Sequence, residues 1–140
     1  PTPTPTVGGA SCKKAILTIT TTYDKVASPD VSGITTGIGY PAKVSIPGSA
    51  SEATVLARVT NLTGVSGGLF NVGDLDTSVN VGLVSLTSAI PSGSFAKIEF
   101  DCAAGQPAPT QGDFTCAPDG STLLGNPVTL QCSLSLQLQN

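Results

Sequence analysis

Histidine, methionine and tryptophan are absent from the 140 residues, only 11% of them are charged and only 4% are aromatic. Without histidine there is no Ser-His-Asp triad and no imidazole metal ligand. Without tryptophan the broad ring platforms that hold flat ligands and sugars are missing, leaving two tyrosines and four phenylalanines. The charged fraction is less than half the ~25% usual for globular chains. The six basic residues, Lys13, Lys14, Lys25, Lys43, Arg58 and Lys97, are scattered apart from one adjacent pair, and the net charge is −3. A nucleic-acid binder needs a basic stripe to displace phosphate counterions, so that partner class is set aside, as is an anionic membrane surface. No segment approaches the ~18 consecutive apolar residues of a membrane-spanning helix. Gly-rich phosphate loops and nucleophile-elbow serines are missing too. The nine carboxylates have neither histidine nor a wall of aromatic rings to work with. The reading is a protein that is not an enzyme.

What remains is rich in structure. The length fits one domain large enough to bury roughly two-thirds of its unfolded surface. Sixteen glycines and 11 prolines punctuate the chain and break long helices. Residues 1–11 begin Pro-Thr-Pro-Thr-Pro-Thr, a composition that favours extended polyproline II and buries no core. They read as an N-terminal arm or linker, and residues 12–140 as the folded domain. The start lacks the basic and apolar regions of a signal peptide, so the expectation is a mature chain from a secreted precursor.

From Ala15 onward the apolar period is two. Ala15, Leu17 and Ile19 alternate with threonines; weaker runs follow at residues 34–40 and 43–46. Residues 52–60 alternate Ala53, Val55, Ala57 and Val59 with Thr54, Leu56 and Arg58 and read as a strand. So do residues 69–72, 79–86 and 96–102. The last run is the clearest, with Val128, Leu130, Cys132, Leu134, Leu136 and Leu138 all on one face. As one strand it would span roughly 35 Å. Gly67-Gly68, residues 91–93 and Asp119-Gly120 read as turns. No window has a helical period. The prediction is an all-β chain: an antiparallel β-sandwich of seven to nine strands, immunoglobulin-like or jelly-roll.

Four cysteines, Cys12, Cys102, Cys116 and Cys132, form no CxxC pair, which argues against metal clusters and redox motifs. Two disulfides in an oxidising, extracellular or cell-surface setting are expected, and three connectivities are open. Cys102–Cys116 is favoured because both sit in strand-like runs flanking a Gly/Pro loop, which leaves Cys12–Cys132. No cofactor is called for. Asp74 and Asp76, two apart, offer oxygen ligands for calcium, although the twelve-residue calcium loop with its closing glutamate is missing and aspartate is also a turn residue. Asn61-Leu62-Thr63 matches the N-glycosylation sequon, and Thr2, Thr4 and Thr6 suit O-linked sugars.

Two stretches carry a family resemblance. Residues 31–42 resemble the cohesin strand that ends in a Tyr-Asp-Pro turn, although here Pro41 follows Tyr40 with no aspartate between them. Residues 79–85 followed by 92–100 look like that family's pair of strands joined by a glycine turn. The resemblance to cohesins, β-sandwich modules of bacterial secreted and cell-surface proteins, spans about residues 15–102. It implies a non-catalytic surface role, dockerin modules bound through a sheet face, and no particular contact residue.

Three functions compete on these grounds. The first is a structural subunit of an extracellular filament or surface layer, a homo-oligomer. Its N-terminal arm, with the pairing part at Val7, Gly8, Gly9, Ala10 and Ser11, would add to a neighbour's open sheet edge. The second is a monomeric cohesin-like module that binds another extracellular protein. The third is a carbohydrate-binding module, which would need Tyr23 and Tyr40 exposed on one face.

Overall fold

A computed structural model of the chain describes residues 12–47, 52–75 and 77–140, the side chain of Glu52 excepted. The described residues form β1 (Lys14–Thr22), β2 (Val31–Gly39), β3 (Val44–Ser45), α1 (Glu52–Leu56), β4 (Val59–Asn61) and β5 (Leu69–Asp74). β6 (Ser78–Val84), β7 (Gly93–Cys102), β8 (Thr115–Thr122), β9 (Pro127–Val128) and β10 (Gln131–Gln139) complete ten strands, with a 3-10 turn at Gln111–Asp113. Every pairing is antiparallel. One sheet runs β10-β1-β7 and then β3 and β4, which share the far edge of β7. The second runs β5-β6-β2-β8-β9.

The inward faces follow the alternation. Ala15, Leu17 and Ile19 of β1 and Ile98 and Phe100 of β7 are buried from the first sheet, against Ile34, Ile38, Val79, Val81 and Leu83 from the second. The β1–β7 register shifts between Ile19 and Thr20, where Ile19 faces Ala96 and Thr20 faces Ser94. The extra residue, Phe95, is a β-bulge that turns both Phe95 and Ala96 into the core. Tyr40 at the end of β2 packs on Phe100, centroids 5.2 Å apart, and Phe100 on Phe114 at 5.5 Å. That end of the sandwich also holds Cys12 and Cys102. The opposite end is closed where the Tyr23 hydroxyl donates to the Ile90 carbonyl and the Ile90 N–H donates to Val31 O at 2.8 Å.

Four sequence expectations are corrected. Ten strands exceed the predicted seven to nine, because short two- and three-residue strands carry no readable alternation. Residues 52–60 are not one strand: α1 takes the first half, and of its alternating residues Val55 is buried while Ala53 and Ala57 are exposed. A helical turn presents one residue to the core where a strand would present three. Asp119-Gly120 lies inside β8, paired with Thr35 and Ile34 of β2, and the chain turns instead at residues 123–126, where Gly125 has φ +87°. The long C-terminal run is two strands. β9 pairs with β8 in the second sheet, then Thr129 and Leu130 carry the chain across to β10, which pairs with β1. Both pieces keep their apolar residues inward, so the alternation runs unbroken through the sheet change.

The disulfide pairing also differs. Cys12 joins Cys102 (Cα–Cα 5.8 Å) and Cys116 joins Cys132 (6.2 Å). All four cysteines are thus bonded, but β7 and β8 lie in different sheets, so the loop between Cys102 and Cys116 is a crossover and not a hairpin. β1 and β7 are neighbours, and Lys14 opposite Asp101 sets Cys12 beside Cys102. Cys116–Cys132 staples β8 of one sheet to β10 of the other.

Candidate functional site

The two outer faces of the sandwich differ in chemistry. On the first sheet, Lys14, Glu99 and Asp101 point outward and meet Arg58, which precedes β4. Arg58 Nη1 lies 2.9 Å from Asp101 Oδ1 and 3.5 Å from Glu99 Oε1, and Lys14 Nζ bonds Asp101 and lies 3.6 Å from Glu99. Partial burial by itself would raise the Asp101 pKa; hydrogen bonds from Arg58 and Lys14 outweigh it and hold the carboxyl below its ordinary range. Beside this network the face is a ladder of Thr, Ser and Gln from β1 and β10, with Ile16 half-buried among them.

The outer face of the second sheet is nearly neutral. Its rows, read across β5, β6, β2 and β8, are Leu69-Val84-Gly33-Ser121, then Asn71-Gly82-Thr35-Asp119, then Gly73-Asn80-Gly37-Ala117. These rows hold a single carboxylate and no basic residue. The glycines leave room for polar side chains to lie across the sheet. A Cβ on Gly82 would stand 3.0 Å from Asn71 Oδ1, and one on Gly37 3.3 Å from Asn80 Oδ1. The result is a shallow surface of amides and hydroxyls with main chain close beneath.

One end of this face is apolar. Leu69 and Val84 pair across β5 and β6 and are 65% and 45% exposed. Leu86, two residues beyond Val84, and Leu123, two beyond Ser121, are 72% and 53% exposed. Between Leu86 and Leu123 lies a cavity of about 160 Å³ lined by residues 29–32 and 85–89. Main-chain bonds hold its walls: Ser85 N–H donates to Ser32 O (2.8 Å) and Leu123 N–H to Asp30 O (3.2 Å). The buried Ser85 hydroxyl donates to Ser88 O at 2.7 Å. An exposed leucine rim around a small cavity suits the side chain of a partner protein.

The residues singled out from sequence have other surroundings. Asp74 Oδ1 accepts the Tyr40 hydroxyl at 2.6 Å; Asp76 is outside the described residues, among which no three His, Cys, Asp or Glu side chains group as metal ligands. Asn61 builds a turn: its Oδ1 accepts from the Thr63 N–H (2.9 Å) and hydroxyl (2.6 Å), and its Nδ2 donates to Val65 O at 3.0 Å. Thr2, Thr4, Thr6 and the proposed pairing segment Val7, Gly8, Gly9, Ala10 and Ser11 fall outside the described residues. Asp113 accepts from the Thr110 N–H (2.8 Å) and from Lys43 (3.0 Å), which hold its carboxyl below the ordinary range. All six aromatic rings pack into or against the core, Tyr23 and Tyr40 included, which removes the stacking platform a sugar-binding face needs. The sequence reading missed the leucine rim and the glycine rows. The signal was present in residues 31–39, where Ile34 and Ile38 alternate with Gly33, Gly37 and Gly39.

Two antiparallel five-stranded sheets in this order define a cohesin-like β-sandwich. Among solved structures, the chain is similar to a non-cellulosomal cohesin from the hyperthermophilic archaeon Archaeoglobus fulgidus, with a TM-score of 0.53 and 18% identity over 86% of this chain and 76% of that one. The likeness is one of fold, and it extends beyond residues 15–102 where the sequence resemblance was seen. No protein-family profile and no curated protein matches the chain.

Proposed function

We propose that the chain is a non-catalytic protein-binding module, a scaffold or adhesion element, that presents the outer face of its second sheet to a protein partner. One observation carries this reading: the nearly uncharged glycine and amide rows end in an exposed leucine rim beside a small cavity, whereas the opposite face carries an ion-pair network next to its polar ladder and, among the described residues, has no such rim. Interface centres are depleted of charge and built around apolar anchors in pockets. The cohesin-like fold supports a protein as the partner, and dockerin modules are the class that the resemblance implies. The two disulfides support a secreted or cell-surface location. In this reading residues 1–11 are an arm or linker and residues 12–140 the sandwich.

The test is biolayer interferometry of the immobilised chain against a panel of dockerin modules, using wild type, Leu86→Asp, Thr35→Arg and, on the other face, Thr18→Lys. Binding that weakens about tenfold or more in the first two variants and survives in the third fits the proposal. Binding abolished by Thr18→Lys alone moves the site to the first sheet and overturns it. Silence across the panel removes dockerins as the partner class.

A second reading, self-assembly by residues 1–11 docking on a neighbouring copy, draws on the outer edge of β10, which no strand of the described residues pairs. Deleting residues 1–11 abolishes assembly if that reading holds.

A further inference from the structure

Sheet edges invite pairing with other chains, and proteins guard them with charge, proline, bulges or brevity. Among the described residues, all edges but one carry such guards. β9 is two residues long and opens on Pro127, and the part of β8 it leaves uncovered contains Pro118. β3 and β4 are two and three residues long, with Lys43 and Arg58 beside them. β5 contains Gly73 and closes on Asp74. β10 has none of these guards. Its nine residues, Gln-Cys-Ser-Leu-Ser-Leu-Gln-Leu-Gln, include no charge, proline or glycine, and its register with β1 is unbroken.

The main-chain groups on its open side can be assigned. Cys102 N–H donates to Lys13 O, so the Lys13 carbonyl and, up to the bulge, Ala15 and every second residue after it on β1 face β7, while the Lys13 N–H, just before the strand, donates to Gln139 O at 2.7 Å. Lys14, Ile16 and their successors therefore exchange hydrogen bonds with β10, opposite Gln139, Gln137, Ser135, Ser133 and Gln131. The N–H and C=O groups of Cys132, Leu134, Leu136 and Leu138 point the other way. The Leu136 N–H meets the Gln111 Oε1 at 3.4 Å, where the 3-10 turn Gln111–Asp113 packs beside β10, so the Gln111 side chain has to swing aside for a second strand to pair there.

We propose that the outer edge of β10 pairs antiparallel with the same edge of a second copy, about a two-fold axis at Ser135, making one continuous sheet from the two first sheets. The sequence is self-complementary in that register. Leu134 faces Leu136 of the second copy and Cys132 faces Leu138 of the second copy, which pairs the outward main-chain groups of all four residues. On the core side leucine meets leucine, and Leu138, 42% exposed, gains a neighbour. On the outer side Ser133 faces Gln137 and Ser135 faces itself, with no like charges opposed. Residues 1–11 fit this edge less well, because their prolines lack N–H donors and Gly8-Gly9 weakens any strand. The surface is separate from the sheet face proposed above for a protein partner.

Sedimentation velocity on the full chain tests this over a concentration series. The wild type is expected to move from 13.9 kDa toward twice that mass. Ser133→Lys with Gln137→Lys, and Ser133→Glu with Gln137→Glu, change exposed side chains only. Each doubly substituted chain should lose association about tenfold or more, since like charges face across the axis. An equal mixture of the two should recover the doubled mass, because residue 133 of one copy faces residue 137 of the other. Amide exchange at Leu134 and Leu138 of the wild type should slow as concentration rises, a readout that needs no variant. A monomer at all concentrations, charged variants that dimerise like the wild type, or a mixture that stays monomeric overturns the proposal. Loss of the dimer on deleting residues 1–11 assigns the edge to the arm and overturns it as well.

Discussion

Removing the two disulfides one at a time sets two accounts of their worth against each other. Cys12–Cys102 closes a separation of 90 residues and Cys116–Cys132 one of 16. If a disulfide acts by restricting the unfolded chain, the loop-closure relation assigns about 4.6 kcal/mol to the first and about 3 kcal/mol to the second. At about 3 °C per kcal/mol for a chain of this size, that is a fall in Tm of about 14 °C against about 9 °C. A view based on folded contacts gives the opposite order. Cys12–Cys102 links two strands already joined by a hydrogen-bonded ladder, while Cys116–Cys132 ties together two sheets that share no ladder at that side. Alanine is the better replacement, because Cys12 is 5% exposed and a serine there would bury a hydroxyl. Urea unfolding of Cys12→Ala/Cys102→Ala and of Cys116→Ala/Cys132→Ala, with slopes compared, yields both free energies. A larger loss from the short link refutes the loop-entropy reasoning. Cleavage after Asp113 and Asp119 separates Cys102, Cys116 and Cys132 onto different peptides, so mass spectrometry without reduction reads the pairing directly. Finding Cys102 on the same linked species as Cys116 refutes the strand arrangement itself.

Phe100→Ala should cost about 3–5 kcal/mol in urea unfolding, since its fully buried ring fills the space between Tyr40 and Phe114. Thr21→Val should instead stabilise by about 1 kcal/mol in the same assay, because the buried Thr21 hydroxyl has no hydrogen-bond partner among the described residues and valine keeps its shape. Tyr40→Phe keeps the ring and removes the bond to Asp74, for an expected loss of about 1–2 kcal/mol. Asp101, held below the ordinary carboxylate range, adds stability that is present at neutral pH and lost as pH falls below about 4 and through its depressed folded pKa. Asp101→Asn should therefore destabilise at pH 7, by no more than about 1 kcal/mol or about 3 °C in Tm for so exposed a network, and by progressively less as pH falls below about 4.

Much of the architecture was legible because it is encoded locally. In β1 and β7 an apolar residue at every second position specifies which side is buried, wherever the strand lies. The resemblance of residues 31–42 and 79–100 to cohesins rests on the same local pattern, and the fold agrees with it. The candidate site was less legible. Gly33, Gly37 and Gly39 look like interruptions until the register sets them beside Val84, Asn80 and Ser78 on one sheet face. Leu86 and Leu123 are 37 positions apart in the chain and share a cavity only because β6 and β8 flank β2.

Composition and alternation by themselves thus determined an all-β chain with a two-sided core and cysteines spaced for disulfides. Tertiary structure decided which strands meet. It paired Cys12 with Cys102 across neighbouring strands, moved the C-terminal run from one sheet to the other at Thr129 and Leu130, and made a helix of residues 52–56. It also left β10 with an open edge. Side-chain period is a property of a few consecutive residues, whereas pairing is chosen by the whole core at once, and a run that alternates correctly satisfies either sheet equally well.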